Sequence, residues 1–322
     1  MASTQAIQAR GRGRNAATPS EIPASGWKDI LLRAWKNIGQ DRVVLVAAGV
    51  TFYCVLAIFP AIAALVAIYG FFSDPASISS QADKLSGVMP GGALDVIRNQ
   101  MNQVASQGTS RLGVAFIIGF FISLWSANAG IKSIFDALNL VYDEPEKRGL
   151  IRLNLVSLAF TVAAIVFILV AVACIAALPA VASTQLQDAT AFIARIVRWP
   201  VLFIMIAVGL AFVYRYGPSR AEPQWRWITW GSAFAAIAWI AISIAFSWYA
   251  ANFGSYNKTY GSLAAIVVFM TWLWLSIIVI LIGGELDAEM EHQTARDTTT
   301  DGGKPMGRRG AKMADTVGRA QG

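Results

Sequence analysis

The densest group of polar side chains that could bind a ligand lies in one short loop between two apolar stretches. Residues 252–262 combine glycine, tyrosine, hydroxyl and amide side chains more densely than any other loop of the chain. Such side chains supply donors, acceptors and a cation, which together can hold a headgroup or a polar solute. We interpret the loop as a structured turn and a possible binding lip, and its candidate residues are Tyr256, Asn257, Lys258 and Tyr260.

Glu285 is the sharpest single candidate, because it is an acid at the end of a long apolar run. It follows Gly283 and Gly284, which are small enough to let another helix approach closely. A carboxylate at that depth is expected to pair with a cation. The sequence offers Arg215 or Arg226 as the predicted partner.

Residues that could carry catalysis are few. The single histidine, His292, follows the last apolar run and is interpreted as a solvated side chain. Cys54 and Cys174 lie inside apolar runs, where burial makes a thiol a small hydrophobic group and not a nucleophile. The sequence contains no zinc-ligand spacing, no Gly-x-Ser-x-Gly motif and no glycine-lysine phosphate loop. We therefore expect no catalytic residues, no metal site, no cofactor and no enzyme activity.

The elements that must position these residues are membrane helices. The 322 residues are 56% hydrophobic and only 14% charged, with a mean hydropathy of +0.54, whereas a soluble domain averages about 25% charged residues. The charges cluster between long uncharged runs, which is typical of a multi-pass helical membrane protein. The predicted fold is all-α, with amphipathic interfacial helices and six transmembrane helices at about 43–72, 112–128, 153–178, 200–214, 228–250 and 263–286.

Several features refine this prediction. Pro60 lies near the middle of the first span and is expected to kink it. Residues 26–40 have tryptophans on one helical face, which favours a helix at the membrane interface. A second amphipathic helix is predicted in the long loop 73–111.

Small residues in the fifth span predict where another helix can pack closely. Gly231 and Ala235 are four residues apart, and Ala241 and Ala245 repeat the spacing. This pattern is typical of close helix contacts in membranes. We expect both pairs to face a neighbouring helix.

Residues 26–291 are predicted to form the membrane domain, flanked by disordered tails at 1–25 and 292–322. Both tails are too polar to bury enough apolar surface to fold alone. The Arg-Gly alternation in the first tail permits an RNA-binding interpretation, but it has only three arginines. A basic tail near anionic lipid headgroups is the favoured interpretation, and no nucleic-acid partner is expected.

The distribution of basic residues predicts the orientation in the membrane. Six spans place both termini on one side, and 20 of the 26 Lys and Arg residues lie on that side. Basic residues favour the cytoplasmic side of a membrane. Both termini are therefore predicted to be cytoplasmic.

Several motifs together resemble the YihY/BrkB family of bacterial inner-membrane proteins, once named ribonuclease BN. The match covers roughly residues 35–291. The two longest motifs are the 252–262 loop, continued to Leu263, and Gly284-Glu285-Leu286-Asp287-Ala288-Glu289. Shorter ones are Ala48-Gly49-Val50-Thr51-Phe52-Tyr53 with Phe59-Pro60, Leu138-Asn139-Leu140-Val141-Tyr142 and Tyr214-Arg215-Tyr216-Gly217-Pro218.

The resemblance implies a six-span protein of the bacterial inner membrane, without an agreed biochemical activity and with a role in the envelope. The missing catalytic ligands give the ribonuclease name no support. The motifs and the polar helix ends together define the candidate binding or structural residues. They are Tyr53, Pro60, Asn128, Asn139, Tyr142, Arg215, Arg226, Tyr256, Asn257, Lys258, Tyr260 and Glu285.

Three functions remain open from the sequence. The first is a transporter or a protein that handles lipid or another amphipathic substrate, because polar helix ends flank an apolar middle. No Asp, Glu, Lys or Arg falls in the middle of a predicted span, which disfavours an ion-coupled carrier. The second is a structural or regulatory membrane protein that acts through partners, and the third, least favoured, is a membrane-bound nuclease. Membrane lipids are the expected partners, and the sequence does not predict an oligomeric state.

Overall fold

The computed structural model describes residues 11–70, 114–182, 189–253, 262–300 and 302–321. Within these residues the fold is all-α, as predicted, and the one strand-like pairing is an isolated bridge between Pro223 and Thr299. A 3-10 turn at Pro19–Glu21 precedes the helices. In chain order these are α1 (Ala24–Gln40), α2 (Val43–Gly70), α3 (Val114–Val141), α4 (Leu150–Ala182), α5 (Ala189–Tyr216), α6 (Trp225–Phe253), α7 (Ser262–Glu291) and α8 (Lys312–Asp315).

Five described helices are long and apolar enough to cross a membrane, and there are six candidate spans if the bent pair α1–α2 counts as one. The two helices of that pair meet at 61°. Arg42, in the break between them, has a left-handed φ of 51°. The predicted interfacial helix is therefore α1, joined to the first apolar helix by a sharp bend.

From α3 to α7 the helices are longer than the predicted spans. The second predicted span ended at residue 128, but α3 continues to Val141 and carries the following amphipathic segment without a break. Pro60 lies inside α2, and the predicted kink there stays a prediction. The helix predicted within loop 73–111 lies outside the described residues.

Helix α7 is central, because it packs against α1, α2, α3 and α6. It approaches α6 closely, since a Cβ at Gly231 would come closer than 3.0 Å to the Gly283 carbonyl oxygen. Ala235 is fully buried beside Gly283. The predicted contact through Gly231 and Ala235 is thus confirmed.

The second small-residue pair does not form a close helix contact. Ala241 and Ala245 are both exposed, and the prediction that they face a neighbouring helix is wrong. Spacing alone does not say which side of a helix is covered. Here the α6–α7 contact involves Gly231 and Ala235. The positions of Ala241 and Ala245 on α6 are left exposed.

The described segments of both tails contact the rest of the protein, and the predicted disorder of 1–25 and 292–322 stays a prediction. Arg12 forms an ion pair with Asp29 of α1 at 2.6 Å. The Ala295 amide donates to the Arg14 carbonyl oxygen at 2.8 Å, and the Thr294 hydroxyl to the Ala16 carbonyl oxygen at 2.8 Å. The contacts of these segments are thus largely polar, in keeping with their low apolar content.

Helix α1 presents two different faces. Its buried face includes Asp29, Ile30 and Arg33 and packs toward α7, where Arg33 donates to the Glu289 carboxylate. Leu31 and Trp35 on the other face are exposed, as suits a helix at a membrane interface. The tails, α1, the loops 142–149 and 217–224 and the end of α7 meet at one end of the bundle, which we call the tail side.

Candidate functional site

A cavity of about 370 Å³ opens on the tail side where α4 begins and α5 ends. Its walls come from the loop before α4, the first turns of α4, the end of α5, the loop 217–224 and Gly310 of the C-terminal tail. The lining is strongly basic. Its charged residues are Lys147, Arg148, Arg152, Arg215, Arg220 and Glu222.

Two of these cations are held firmly by internal acids. Arg220 donates two hydrogen bonds to Glu291, both at 2.9 Å, and its guanidinium lies 4.0 Å from the Tyr142 ring centre. Arg148 binds both carboxylate oxygens of Glu146, at 2.8 and 2.7 Å, and donates to the Gly217 carbonyl oxygen at 2.8 Å. These two arginines form the frame of the cavity.

The other three cations are less tightly paired with acids. Lys147 pairs with Glu144 at 2.6 Å, but 48% of its side chain is exposed. Arg215 pairs with Glu222 at 3.2 Å, and the Glu222 side chain is half exposed. Arg152 is exposed and makes no hydrogen bond or ion pair within the part of the chain that the structure describes. The cavity therefore has cationic groups available to a ligand.

Glu146 shows how strongly the loop before α4 is organised. Burial alone would raise the pKa of this carboxyl, but hydrogen bonds from Arg148, Asn139 and Ser219 outweigh burial and lower its pKa to about 2. The carboxylate therefore stays ionised at any physiological pH. It holds Arg148 in place at the cavity wall.

An apolar surface adjoins the basic lining. Val156 of α4 lines the cavity itself. The neighbouring Leu155, and Phe212 and Val208 on α5, are exposed large hydrophobic residues. The site thus joins a basic pocket to helix surface that is apolar enough to face lipid.

The structure brings three of the sequence-predicted residues to this region. Arg215 lines the cavity. Asn139 supports its wall, since its side-chain amide donates to Glu146 at 3.0 Å and its oxygen accepts from the Ser219 amide at 2.7 Å. Tyr142 is fully buried behind Arg220.

The remaining predicted residues lie elsewhere. Arg226 is exposed and bonds the Gln224 side chain, and Tyr53 is exposed beside Phe52. Asn128 is buried within α3, where its oxygen accepts from Thr161 at 3.3 Å. Pro60 lies within α2, far along the chain from the cavity loops. Tyr256, Asn257, Lys258 and Tyr260 lie outside the described residues.

Glu285 is fully buried, and neither carboxylate oxygen has a hydrogen-bond partner among the described residues. The predicted pairing with Arg215 or Arg226 is wrong. Arg215 is occupied by Glu222 and the Pro223 carbonyl oxygen. The Asn37 amide beside Glu285 donates to Glu289 at 2.8 Å. The sequence alone does not show that other acids accept from these donors, Glu222 from Arg215 and Glu289 from Asn37.

Replacing Glu285 with glutamine is expected to raise the free energy of unfolding by about 1–3 kcal/mol, because the cost of burying an ionisable carboxyl without a hydrogen-bond partner is removed. Asp41 and Glu289 add further negative potential at this position. Chemical denaturation of the purified protein in detergent measures the change.

Glu289→Gln is the matched control. It removes the acid that accepts from Arg33 and Asn37, so the free energy of unfolding should fall. A fall for Glu285→Gln as well would contradict the interpretation, since it would mean that the Glu285 carboxylate makes a stabilising contact.

Asp287 links α7 to α6 by a buried hydrogen bond. It is fully buried, and its carboxylate accepts the Gly231 amide hydrogen at 2.8 Å. The Tyr214 hydroxyl donates to the Ile280 carbonyl oxygen at 2.6 Å at the same junction. These contacts hold α5, α6 and α7 together next to the cavity.

Sequence reasoning missed Lys147, Arg152 and Arg220 as site residues. It used them only as part of the overall basic bias of one membrane side. The available signal was that basic residues cluster where α4 begins and where α5 ends. These two points lie at the same end of the helix pair. Among the described residues, no group of three or more His, Cys, Asp or Glu side chains could hold a metal ion.

Comparison with known proteins supports the resemblance. The chain is 28% identical over 270 residues to YfkH of Bacillus subtilis, named as a ribonuclease-like protein, covering 81% of this chain and 93% of YfkH. It is 23% identical over 284 residues to the UPF0761 membrane protein Mpe_A1422 of Methylibium petroleiphilum, covering 88% and 67% of the two chains.

A third relative is the UPF0761 membrane protein RSc1559 of Ralstonia nicotianae, 25% identical over 270 residues. The match covers 80% of this chain but only 57% of that protein. No solved structure matches the chain. The family model described as "Virulence factor BrkB" matches residues 34–306. This chain is therefore a multi-pass helical membrane protein that belongs to the BrkB family.

Proposed function

We propose that this membrane protein binds and moves an amphipathic substrate with an acidic headgroup, as a transporter or lipid-handling protein of the bacterial inner membrane. The observation that carries the proposal is the tail-side cavity, in which five cations and one acid line a space that adjoins exposed apolar helix surface. A ligand with a charged head and an apolar tail matches both parts of this site. Membrane lipids are the most abundant compounds of that kind around the protein.

The basic lining would hold the headgroup through hydrogen bonds to charged donors, which are about twice as strong as bonds between neutral groups. Leu155, Phe212 and Val208 would contact the apolar tail, since they continue from the cavity along α4 and α5. The headgroup would then stay in a polar site while the tail remains in the hydrocarbon region. This division avoids the cost of placing a charged headgroup in the hydrocarbon region while the lipid is bound.

The tail side is proposed to be cytoplasmic. The basic bias of the sequence supports this orientation, since 20 of the 26 Lys and Arg residues belong to that side in the six-span prediction. In that orientation the cavity would take its substrate from the cytoplasmic leaflet. No chemical step is part of the proposal, and an enzyme activity is not proposed.

Protein purified with a mild detergent is expected to carry an acidic amphipathic lipid above that lipid's fraction in the membrane. The physical reason is the excess of cations over acids in the cavity lining. Mass spectrometry of the lipids bound to the protein, compared with those of the source membrane, measures the enrichment.

The control is another multi-pass protein purified from the same membranes in the same detergent. Equal lipid composition in both preparations would overturn the proposal. Enrichment restricted to zwitterionic lipids would also contradict it, because the cations would then play no part.

The alternative is a structural or regulatory protein that acts through partners. It was expected to use disordered tails, whereas residues 11–25 and much of 292–321 contact the protein's own helices. Tails that are occupied in this way lend that alternative less support. Crosslinking in cells, with and without the C-terminal tail, would test it, since partners lost together with the tail would favour it.

A further inference from the structure

We propose that the tail-side cavity is a phosphate site, which binds the phosphate group of a lipid headgroup or of a soluble phosphate compound. This inference rests on the proposed function and specifies the chemistry of its substrate.

The cations of the cavity outnumber the carboxylates paired with them by one. Its five cations are balanced in part by four carboxylates, and one positive charge is left over. Those carboxylates are Glu144, Glu146, Glu222 and Glu291. A phosphodiester carries one negative charge, so its binding would make the site neutral.

Arg152 is the residue best placed to receive the ligand. It lines the cavity, it is exposed, and it has no hydrogen-bond or ion-pair partner within the described part of the chain. A ligand therefore does not have to break an existing bond to reach it. Its planar guanidinium offers paired N–H donors that match two oxygens of one phosphate.

Arg215 can bind a phosphate if the phosphate replaces its present acidic partner, Glu222. Its guanidinium is nearly buried and stacks 4.5 Å from the centre of the Trp225 ring, which holds it in place. Its acidic partner Glu222 makes a single contact at 3.2 Å, and the Glu222 side chain is 50% exposed. Glu222 thus occupies Arg215 as an internal anion that a phosphate can displace.

The cations belong to different walls, and this favours phosphate over carboxylate. Lys147 comes from the loop before α4, Arg152 from α4 and Arg215 from the end of α5. A tetrahedral phosphate presents oxygens in several directions, whereas both oxygens of a carboxylate lie in one plane. Arginine on separate walls can therefore contact one phosphate from more than one side.

The test uses the full chain in a neutral detergent and three probes. They are dioctanoyl phosphatidylglycerol, its tail-free headgroup glycerophosphoglycerol, and octanoate as an anionic amphiphile without phosphate. Binding is measured by native mass spectrometry and by the ligand-induced rise in melting temperature. The variants are Arg152→Gln, Glu222→Gln and, as the matched control, Arg226→Gln, an exposed arginine in the first turn of α6 that does not line the cavity.

Arg152→Gln is expected to weaken phosphatidylglycerol binding about tenfold, the size of one charge-assisted hydrogen bond. Glu222→Gln should strengthen binding, because Arg215 loses its competitor. Arg226→Gln should leave binding unchanged, and octanoate should bind weakly to all variants. Opposite effects at Arg152 and Glu222 are not expected from a general change in stability.

The outcomes separate this inference from the proposed function. Lipid binding with equal affinity in all variants, or octanoate binding as tight as phosphatidylglycerol, would overturn the phosphate site and leave lipid handling standing. Glycerophosphoglycerol that binds as tightly as the lipid, with the same dependence on Arg152, would support the phosphate site but assign it to a soluble compound. In that case the proposed lipid function would fail.

Discussion

Gly231→Ala is expected to destabilise the protein by about 3 kcal/mol, at the upper end of what overpacking costs. The added Cβ would come closer than 3.0 Å to the Gly283 carbonyl oxygen and to the Asp287 side chain. The carbonyl oxygen belongs to the α7 backbone and cannot turn away as a flexible side chain can. The two helices would have to separate, and the hydrogen bond from the Gly231 amide to Asp287 at 2.8 Å would be strained.

Chemical denaturation in detergent and the melting temperature of the purified protein measure this effect. Gly49→Ala in α2 is the control, because a Cβ there would meet nothing within 4 Å. Alanine is the better helix former by about 1 kcal/mol, so this control should be neutral or slightly stabilising. Equal stability of the two variants would show that α6 and α7 do not approach closely at Gly231.

Arg220→Met is expected to cost about 3–5 kcal/mol, the usual effect of removing one partner from a buried ion pair. Arg220 and Glu291 are 1% and 0% exposed, and two hydrogen bonds of 2.9 Å join them. Without the arginine, the Glu291 carboxylate would keep one hydrogen bond among the described residues, from the Thr298 hydroxyl at 3.0 Å. A buried carboxylate would be left largely unpaired between α7 and the loop 217–224.

A double-mutant cycle tests this prediction. Arg220→Met combined with Glu291→Met removes both charges, so the loss should be clearly smaller than the sum of the two single losses. Arg226→Met, at an exposed arginine, should change the free energy of unfolding by no more than about 0.5 kcal/mol. Additive losses in the cycle would mean that Arg220 and Glu291 do not stabilise one another.

The fold class could be predicted from hydropathy because a membrane restricts the choices. Backbone groups in the hydrocarbon region must bond within their own segment, so each long apolar run has to be a helix. The count of five to six candidate spans and the close contact at Gly231 agree with what the sequence predicted. The polar contacts of the tails could not be predicted in this way, because composition measures apolar burial and does not register an ion pair such as Arg12 with Asp29.

The candidate site was predicted only in part. Arg215 and Asn139 were recognised as polar helix-end residues, and both belong to the cavity or its wall. Arg152 and Arg220 were seen only as part of a charge bias. Glu285 was correctly marked as unusual for its depth, but its partner was wrongly predicted, since Glu222 and the Pro223 carbonyl oxygen occupy Arg215.

By itself, the sequence determined that this protein is a bundle of membrane helices and which of its residues are polar at the helix ends. These properties depend on local composition and on the solvent that surrounds each segment. The tertiary structure decided which of those polar residues meet. Arg33 and Glu289 are 256 positions apart, and Arg220 and Glu291 are 71 apart, so their pairing depends on how the helices pack. The same packing leaves Arg152 without a partner among the described residues and Glu285 buried without one, and no local pattern contains that information.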